Sequence, residues 1–382
     1  MVSGSEPLSG TLATAILAFA LLAAGLAFEA SAVGKIIGQV VAQGIAVLAQ
    51  PTLHLLGVET IRTGVELRAA SGAWAVRINQ VCDGMGLVVA LAVLLAVVIP
   101  SGGVFRATST AGHKSVAPQA RTRPGAAFRA HWRGPLAVFI AGIMIIQVFN
   151  FVRVLALAGA LHAWPEVFGR LHDLVFPLLT VLVLAAILVP PLKLAALSAL
   201  TAVFMLGWAQ IGSQASALLV PVANLALPLG LAELGTIAER GGVWSVGTAL
   251  LAGVEPLRLH VVPLDPAHFT TAMPVLLAST LIARAPVWAL AGVAMMLLAL
   301  IVASPVAVWT RALAEAPATV LLPVGGNGFI AADFAPPAML HGLLRLIQNT
   351  LVHFLLLVLP ILALVGAPRR ERGAHAYPNR TR

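Results

Sequence analysis

Runs of apolar residues long enough to cross a bilayer recur along the chain, and they restrict its fold more than any other feature. A helix of about 20 residues crosses a hydrocarbon core about 30 Å thick. Helices suit such runs because each span has to satisfy its own backbone hydrogen bonds within lipid. The strands of a membrane barrel would instead alternate polar and apolar residues. With 60% hydrophobic and 10% charged residues, the sequence predicts an all-α polytopic integral membrane protein.

About eight transmembrane helices are predicted from the lengths of these runs. They cover residues 10–30, 84–100, 135–160, 174–192, 195–218, 267–283, 286–308 and 343–366. The loop 101–134 contains six Arg and Lys residues and no acid, and the tail after Pro368 has five arginines and one glutamate. Cytoplasmic segments carry such an excess of basic residues, so both are predicted to lie inside, together with both termini.

The segment between the first two spans is predicted to lie outside the cytoplasm. Residues 35–57 carry a polar stripe on one helical face, which favours a helix along the membrane surface rather than across it. The stripe consists of Lys35, Gln39, Gln43, Gln50 and His54. In residues 64–80, apolar and polar residues alternate on both sides of a Ser71-Gly72 turn. This pattern predicts a short extracytoplasmic β-hairpin that leads into Cys82, the single cysteine of the chain.

Two membrane domains are predicted, residues 1–192 and residues 193–382. The first contains all the candidate residues for chemistry, and the second has extracytoplasmic loops and no role that its sequence reveals. Within the second, "VEPLRLHVVPLD" at 254–265 indicates short extended structure at the membrane surface. A further outer loop is expected to precede the last span.

The net charge of +9 does not indicate a nucleic-acid partner. The basic residues gather in interhelical loops and in the tail, without a basic amphipathic helix or an aromatic stacking platform. That distribution is the one expected from the sidedness of membrane proteins, and the bilayer is its partner. With one cysteine, the chain forms no intramolecular disulfide.

Three polar side chains are predicted to meet at the outer ends of consecutive spans. If loop 101–134 is cytoplasmic, Cys82 lies at the outer end of the span that enters the loop. The span that leaves the loop ends outside, and it carries Arg153 inside its apolar run, with Asn150 three residues back on the same face. The short outer link then brings His172 to the start of the next span. A charged residue within a span is by default a functional candidate.

The chemistry of these three side chains is that of a cysteine acyltransferase. A thiolate attacks carbonyl carbon, and nearby cations and a helix N-terminus favour the thiolate. His172 takes the proton of the thiol and returns one to the leaving amine. Arg153 holds the substrate carbonyl or stabilises the developing oxyanion. Gly84 and Gly86 allow a substrate backbone to approach closely.

Each of these residues also has a structural interpretation. Cys82 alone would be an inert small apolar residue, and a single histidine at a helix start is commonly a cap. Arg153 would extend toward the headgroups, and Asn150 would bond a neighbouring helix. A zinc site of Cys82, His172 and Asp173, with His162 or His54 as a fourth ligand, is the nearest chemical alternative. The fixed positive charge of Arg153 disfavours it, and no metal is predicted.

The motifs resemble those of the exosortase/archaeosortase family of membrane cysteine transpeptidases and proteases. They read "CDG" at 82–84, "NFVR" at 150–153 and "RLHD" at 170–173, and the resemblance covers about residues 10–192. Asp83 departs from the small uncharged residue that is usual in the family at that position.

The resemblance implies Cys82 as nucleophile, His172 as acid/base and Arg153 as transition-state stabiliser, with Asn150, Gly84 and Asp173 supporting the site or binding substrate. It implies exported substrates whose C-terminal sorting signal has a short motif, a transmembrane helix and a basic tail. Cleavage would pass through a thioester, resolved by an amine or by water, and needs no cofactor. The active site would lie on the extracytoplasmic side of the inner (plasma) membrane.

A function without catalysis is the alternative. The protein would then be a membrane partner or a transporter in which Arg153 binds an anionic substrate. Transporters commonly have helices interrupted by Gly or Pro in two matching halves. No clear inverted repeat is evident in this sequence.

Overall fold

A computed structural model of the protein describes residues 6–78, 84–98, 124–226, 237–240, 243–252, 258–264, 272–314, 318–324, 328–334 and 337–366. The chain is mostly helical. The helices are α1 (Glu6–Ala30), α2 (Ala32–Leu55), α3 (Met85–Val98), α4 (Pro124–Ala163), α5 (Pro165–Arg170), α6 (Phe176–Leu188), α7 (Pro191–Ala226), α8 (Ala272–Ala283), α9 (Pro286–Ala314), α10 (Ala338–His353) and α11 (Leu359–Gly366). Two π-helical turns, Leu171–Val175 and Phe354–Val358, join α5 to α6 and α10 to α11.

The long apolar helices make this a multi-pass membrane protein. Within the described ranges, six helices are long and apolar enough to cross a membrane: Leu12–Ala30, Ala32–Leu55, Gly134–Ala163, Pro191–Trp208, Pro286–Ala314 and Ala338–Val365. Three shorter apolar helices, α3, α6 and α8, coincide with three further predicted spans. The six include α2. The polar stripe at residues 35–57 had instead predicted a helix along the membrane surface.

Helices α1, α3 and α4 pack closely because glycines face large side chains of their neighbours. A Cβ atom added to Gly25 of α1 would lie 2.3 Å from Val89 Cγ1 of α3. A Cβ atom added to Gly142 of α4 would lie 2.5 Å from Leu91 Cδ2 of α3. Small residues allow such approaches between membrane helices. The start of α3 in turn contacts residues 146–150, so α3 and α4 are antiparallel.

We expect Gly142→Leu to destabilise the protein by about 1–3 kcal/mol, because the added side chain meets the fully buried Leu91. Thermal unfolding in detergent measures the effect. Gly159→Leu on the same helix is the matched control, since a Cβ atom there has no neighbour within 4 Å. Equal melting temperatures for the two variants would contradict this packing of α3 on α4.

A three-stranded antiparallel sheet follows α2. It consists of β1 (Thr60–Thr63), β2 (Glu66–Ala69) and β3 (Ala75–Arg77) in that order, with Thr63 opposite Glu66 and Glu66 opposite Arg77. The β2–β3 turn contains Ser71 and Gly72, and Gly72 has a φ of +75°. The sheet is tied to α2, because the Thr60 N–H donates to His54 Nε2 at 3.0 Å.

A second sheet is built from two loops that are distant in sequence. Its strands are β4 (Ile237–Arg240), β5 (Val243–Ala252), β6 (Arg258–Leu264), β7 (Ala318–Val324) and β8 (Gly328–Phe334). The order is β4-β5-β7-β8, and β6 also pairs with β5. Extended structure near 254–265 was expected, but the loop before the last span contains a β-hairpin, β7–β8, that was not. The pairing of Leu250 with Val320 joins the two loops.

One hydrophobic core connects the two predicted domains. A single buried cluster includes Leu22 of α1, Leu91 of α3, Leu184 of α6 and Leu276 of α8. Phe354, which has 0% of its surface exposed, contacts Phe19 edge-to-face with ring centroids 5.6 Å apart. Residues from both sides of the boundary at 192/193 therefore bury one another.

Candidate active site

The predicted nucleophile, Cys82, and the adjacent Asp83 lie outside the described residues. The described chain resumes at Gly84, immediately before α3. Gly84 has a φ of +78°, which suits glycine because a Cβ atom disfavours the left-handed region. A Cβ atom at Gly84 would lie 3.3 Å from Gln147 Nε2 and 3.4 Å from Asn150 Nδ2. The residue that follows the Cys82-Asp83 pair is therefore in contact with the polar side chains of α4.

Asn150 and Arg153 lie three residues apart on α4, and Asn150 is the one that approaches the start of α3. Asn150 is fully buried, with 0% of its surface exposed. The Arg153 guanidinium carbon lies 5.9 Å from the centre of the Phe176 ring, at the start of α6. An aromatic face at that distance attracts the cation. Arg153 is thereby directed toward α6 rather than into lipid.

The Nε atom of Arg153 is buried, and it has no hydrogen-bond partner among the residues that the structure describes. A buried donor without a partner costs about 1–3 kcal/mol, so native structures seldom retain one without a reason. A substrate carbonyl or carboxylate would satisfy this donor. This buried donor is therefore a candidate for a hydrogen bond to a ligand.

His172 lies in the π-helical turn Leu171–Val175, which continues into α6. Its imidazole is half-buried and stacks on the Phe168 ring, with centroids 5.6 Å apart and planes 21° apart. Phe176, which contacts Arg153, is one helical turn after His172, so α6 links the two predicted site residues. The side chain of Asp173 lies outside the part of the chain that the structure describes.

The structure thus brings three segments together at one end of the helical bundle. They are the start of α3, residues Gln147–Arg153 of α4, and the π-helical turn with the start of α6. In the described ranges, no group of three His, Cys, Asp or Glu side chains lies close enough to hold a metal ion. Cys82, the first ligand of the alternative zinc site, is not within those ranges.

Two residues of this region were not among the sequence candidates, namely Gln147 and Phe176. Gln147 is three residues before Asn150, so its position on the same helical face was available as a signal. Phe176 had no such signal, because an aromatic residue in an apolar run is equally suited to lipid. It also contacts Phe149, with ring centroids 6.3 Å apart.

We expect Gly84→Ala to cost about 1–2 kcal/mol through its left-handed backbone alone. The new methyl group would also push against Gln147 and Asn150, so the melting temperature should fall further than the backbone strain alone requires. Gly72→Ala is the matched control, because Gly72 has a φ of +75° and a Cβ atom there has no neighbour within 4 Å. Thermal unfolding in detergent is measured for both variants. Equal melting temperatures would contradict the contact of Gly84 with α4.

No protein-family model, no curated protein and no solved structure matches this chain. The fold itself defines the class of the protein, which is a multi-pass, mostly helical membrane protein.

Proposed function

We propose that the protein is a membrane-embedded cysteine endopeptidase or transpeptidase of the exosortase/archaeosortase type. It would cleave the C-terminal sorting signals of exported proteins, which carry a short motif, a transmembrane helix and a basic tail. The observation that carries this proposal is the buried Nε of Arg153, which has no hydrogen-bond partner among the described residues and lies three residues after Asn150 on α4. A donor held in that way suits a substrate carbonyl whose oxygen becomes negatively charged.

Chain connectivity supports a role for the thiol at the same place. Cys82 is two residues before Gly84, so their Cα atoms are within about 7.6 Å in any conformation. Gly84 contacts Asn150, and Asn150 is three residues from Arg153 on the same helical face. Chain connectivity therefore permits the thiol of Cys82 to approach a carbonyl held by Arg153.

The reaction would proceed in two acyl-transfer steps. His172 takes the proton of the Cys82 thiol, and the thiolate attacks the scissile carbonyl carbon while the electrons of the C=O bond move to the oxygen, where Arg153 would stabilise them. The C=O bond re-forms as the C–N bond breaks, and His172 gives its proton to the leaving amine, which leaves a thioester and a free amine. An incoming amine or water loses a proton to His172 and attacks the thioester; the C–S bond breaks, and His172 returns the proton to the sulfur.

We further propose eight spans, with α2 and the hairpin β2–β3 on the extracytoplasmic side of the plasma membrane. Ala46 and Leu53 of α2 belong to the same buried cluster as Val154 and Ala158, which follow Arg153 on α4. This packing supports a position for α2 near the end of α4 that contains the candidate site. It supports a helix along the surface, although α2 is long and apolar enough to cross.

A transporter or binding partner for an anion is the second candidate, because the buried Nε of Arg153, without a partner in the part of the chain that the structure describes, would suit a carboxylate equally well. The two functions differ in what they require of Cys82. Catalysis consumes and regenerates a thioester at the thiol, whereas anion binding at Arg153 involves no covalent bond.

Cleavage of a reporter that ends in a sorting-type signal tests the proposed function. The purified protein in lipid vesicles should release the reporter domain, and the mass of the product shows whether water or an added amine accepted the acyl group. Iodoacetamide should abolish cleavage, since Cys82 is the only cysteine that it can alkylate. Undiminished cleavage by the alkylated protein would contradict the thiol mechanism.

A further inference from the structure

A second polar contact lies on the first turn of α3, two residues after Gly84. A Cβ atom added to Gly86 would lie 3.3 Å from His353 Nε2 and 3.7 Å from Glu29 Oε2. Glu29 is at the end of α1, and His353 is the last residue of α10. A carboxylate and an imidazole from two distant parts of the chain therefore meet at the same backbone position.

His353 is held in a defined orientation. Its Nδ1 donates a hydrogen bond to the backbone oxygen of Asn349 at 2.7 Å, because a carbonyl oxygen only accepts. Nε2 is then the ring atom directed at α3. The π-helical turn Phe354–Val358 begins at the next residue, and the buried Phe354 ring anchors that turn against α1. Such turns occur frequently at functional sites, and His172 lies in the other one.

The position of Glu29 suits the start of a helix. The first N–H groups of a helix have no partner within it, and its N-terminus carries partial positive charge. A carboxylate near Gly86 is therefore of the charge that suits the first turn of α3. Because Gly86 has no side chain, both Glu29 and His353 can approach the backbone of that turn. The turn carries Gly84, which connects directly to Asp83 and Cys82.

We propose that Glu29 and His353 are positioning residues that fix the first turn of α3, to which Cys82 is joined in sequence through Asp83 and Gly84. The effect of this positioning on catalysis rests on the function proposed above. The C-terminal half of the chain then has a role: it supplies His353 and completes the site built by residues 1–192. A direct part in the chemistry is not assigned to either residue.

The rate at which iodoacetamide alkylates Cys82 tests this proposal without any substrate. We expect His353→Leu to lower the alkylation rate of the folded protein about fivefold below that of the wild type. The rate of each protein in denaturant is the reference. His353→Gln retains an amide that can reach α3 and should restore most of the rate. In the cleavage assay, kcat should fall about tenfold or more with little change in KM, because the thiol is misplaced while substrate binding remains.

His341→Leu is the matched control. His341 is a buried histidine on the same helix, 7% exposed, whose Nε2 lies 2.9 Å from Thr310 Oγ1 rather than near α3. It should lower the melting temperature as His353→Leu does and leave the alkylation rate unchanged. Glu29→Leu combined with His353→Leu should slow alkylation no more than the more severe single variant, because both act on one turn.

An unchanged alkylation rate in His353→Leu, or an equal loss in His341→Leu, would overturn the proposal. Fully multiplicative effects of the Glu29 and His353 variants would overturn the joint role of the two residues. These results are separate from the proposed function, because alkylation is measurable even where no reporter is cleaved. If His353→Leu lost cleavage but kept the wild-type alkylation rate, the positioning role would be contradicted and the proposed function would not.

Discussion

Replacing Cys82 with Ala or with Ser should lower the cleavage rate of a sorting-signal reporter by a factor on the order of 10⁴ or more, as losses of catalytic nucleophiles do. Alanine removes the attacking atom altogether. Serine retains the shape of the side chain, but its hydroxyl is a far weaker nucleophile unless a base matched to it is present. The measurement is the initial rate of reporter release by equal amounts of vesicle-inserted protein.

The single cysteine makes this experiment unambiguous. No other thiol in the chain can substitute for Cys82, so residual activity would come from another mechanism. Unchanged melting temperatures would show that both variants fold. Cleavage by Cys82→Ala at the wild-type rate would refute the peptidase proposal. Retained uptake or binding of an anion by the same variant would favour the transporter.

Arg153→Lys should lower kcat by about 10²–10³, the effect of removing one group that stabilises an oxyanion. The charge is conserved, but an ammonium group lacks the planar fork and the Nε donor that is buried here. It also stacks less favourably than a guanidinium on the Phe176 ring. Steady-state kinetics on the reporter should show the loss mainly in kcat, because the interaction strengthens in the transition state.

Arg170→Lys provides the matched control for that substitution. Arg170 ends α5 and is exposed, only two residues before His172. We expect its kinetics to be those of the wild type. Full activity of Arg153→Lys would remove the guanidinium from the mechanism. A loss confined to KM would indicate that Arg153 only binds substrate.

The membrane class of the fold was predictable because it depends on local properties of the sequence. The length of an apolar run decides whether a helix can span, and the run needs no knowledge of its neighbours. The break between the predicted spans 267–283 and 286–308 also has a local cause. Arg284 has a φ of +54° between α8 and α9, a conformation that interrupts a helix.

The second sheet and the contacts around the site were harder to predict, because they depend on residues distant in sequence. The pairing of β5 with β7 leaves little local pattern, so the loop that contains β7 and β8 had no predicted strands. Asn150 and Arg153 were predicted to share a face, since residues three apart on a helix are neighbours. The approach of Glu29 and His353 to Gly86 involves three separate helices and had no comparable signal.

The polar stripe and the length of α2 lead to different expectations for the same helix. Its length and mean hydropathy qualify it as a span. Its buried face, however, packs on the part of α4 that follows Arg153 and, through Leu67 and Ile78, on the first sheet. The sequence pattern alone does not decide between the two positions, because the packing of this face depends on residues distant in sequence.

Intramolecular thiol cross-linking tests most directly whether the thiol, imidazole and guanidinium share one pocket. A second cysteine is introduced by His172→Cys or by Arg153→Cys, and a short bifunctional reagent is added to the folded protein in vesicles. We predict a cross-link to Cys82 from either position, and none from His162→Cys at the exposed end of α4. Absence of a cross-link from both pocket positions, with both thiols accessible to a monofunctional reagent, would contradict the account.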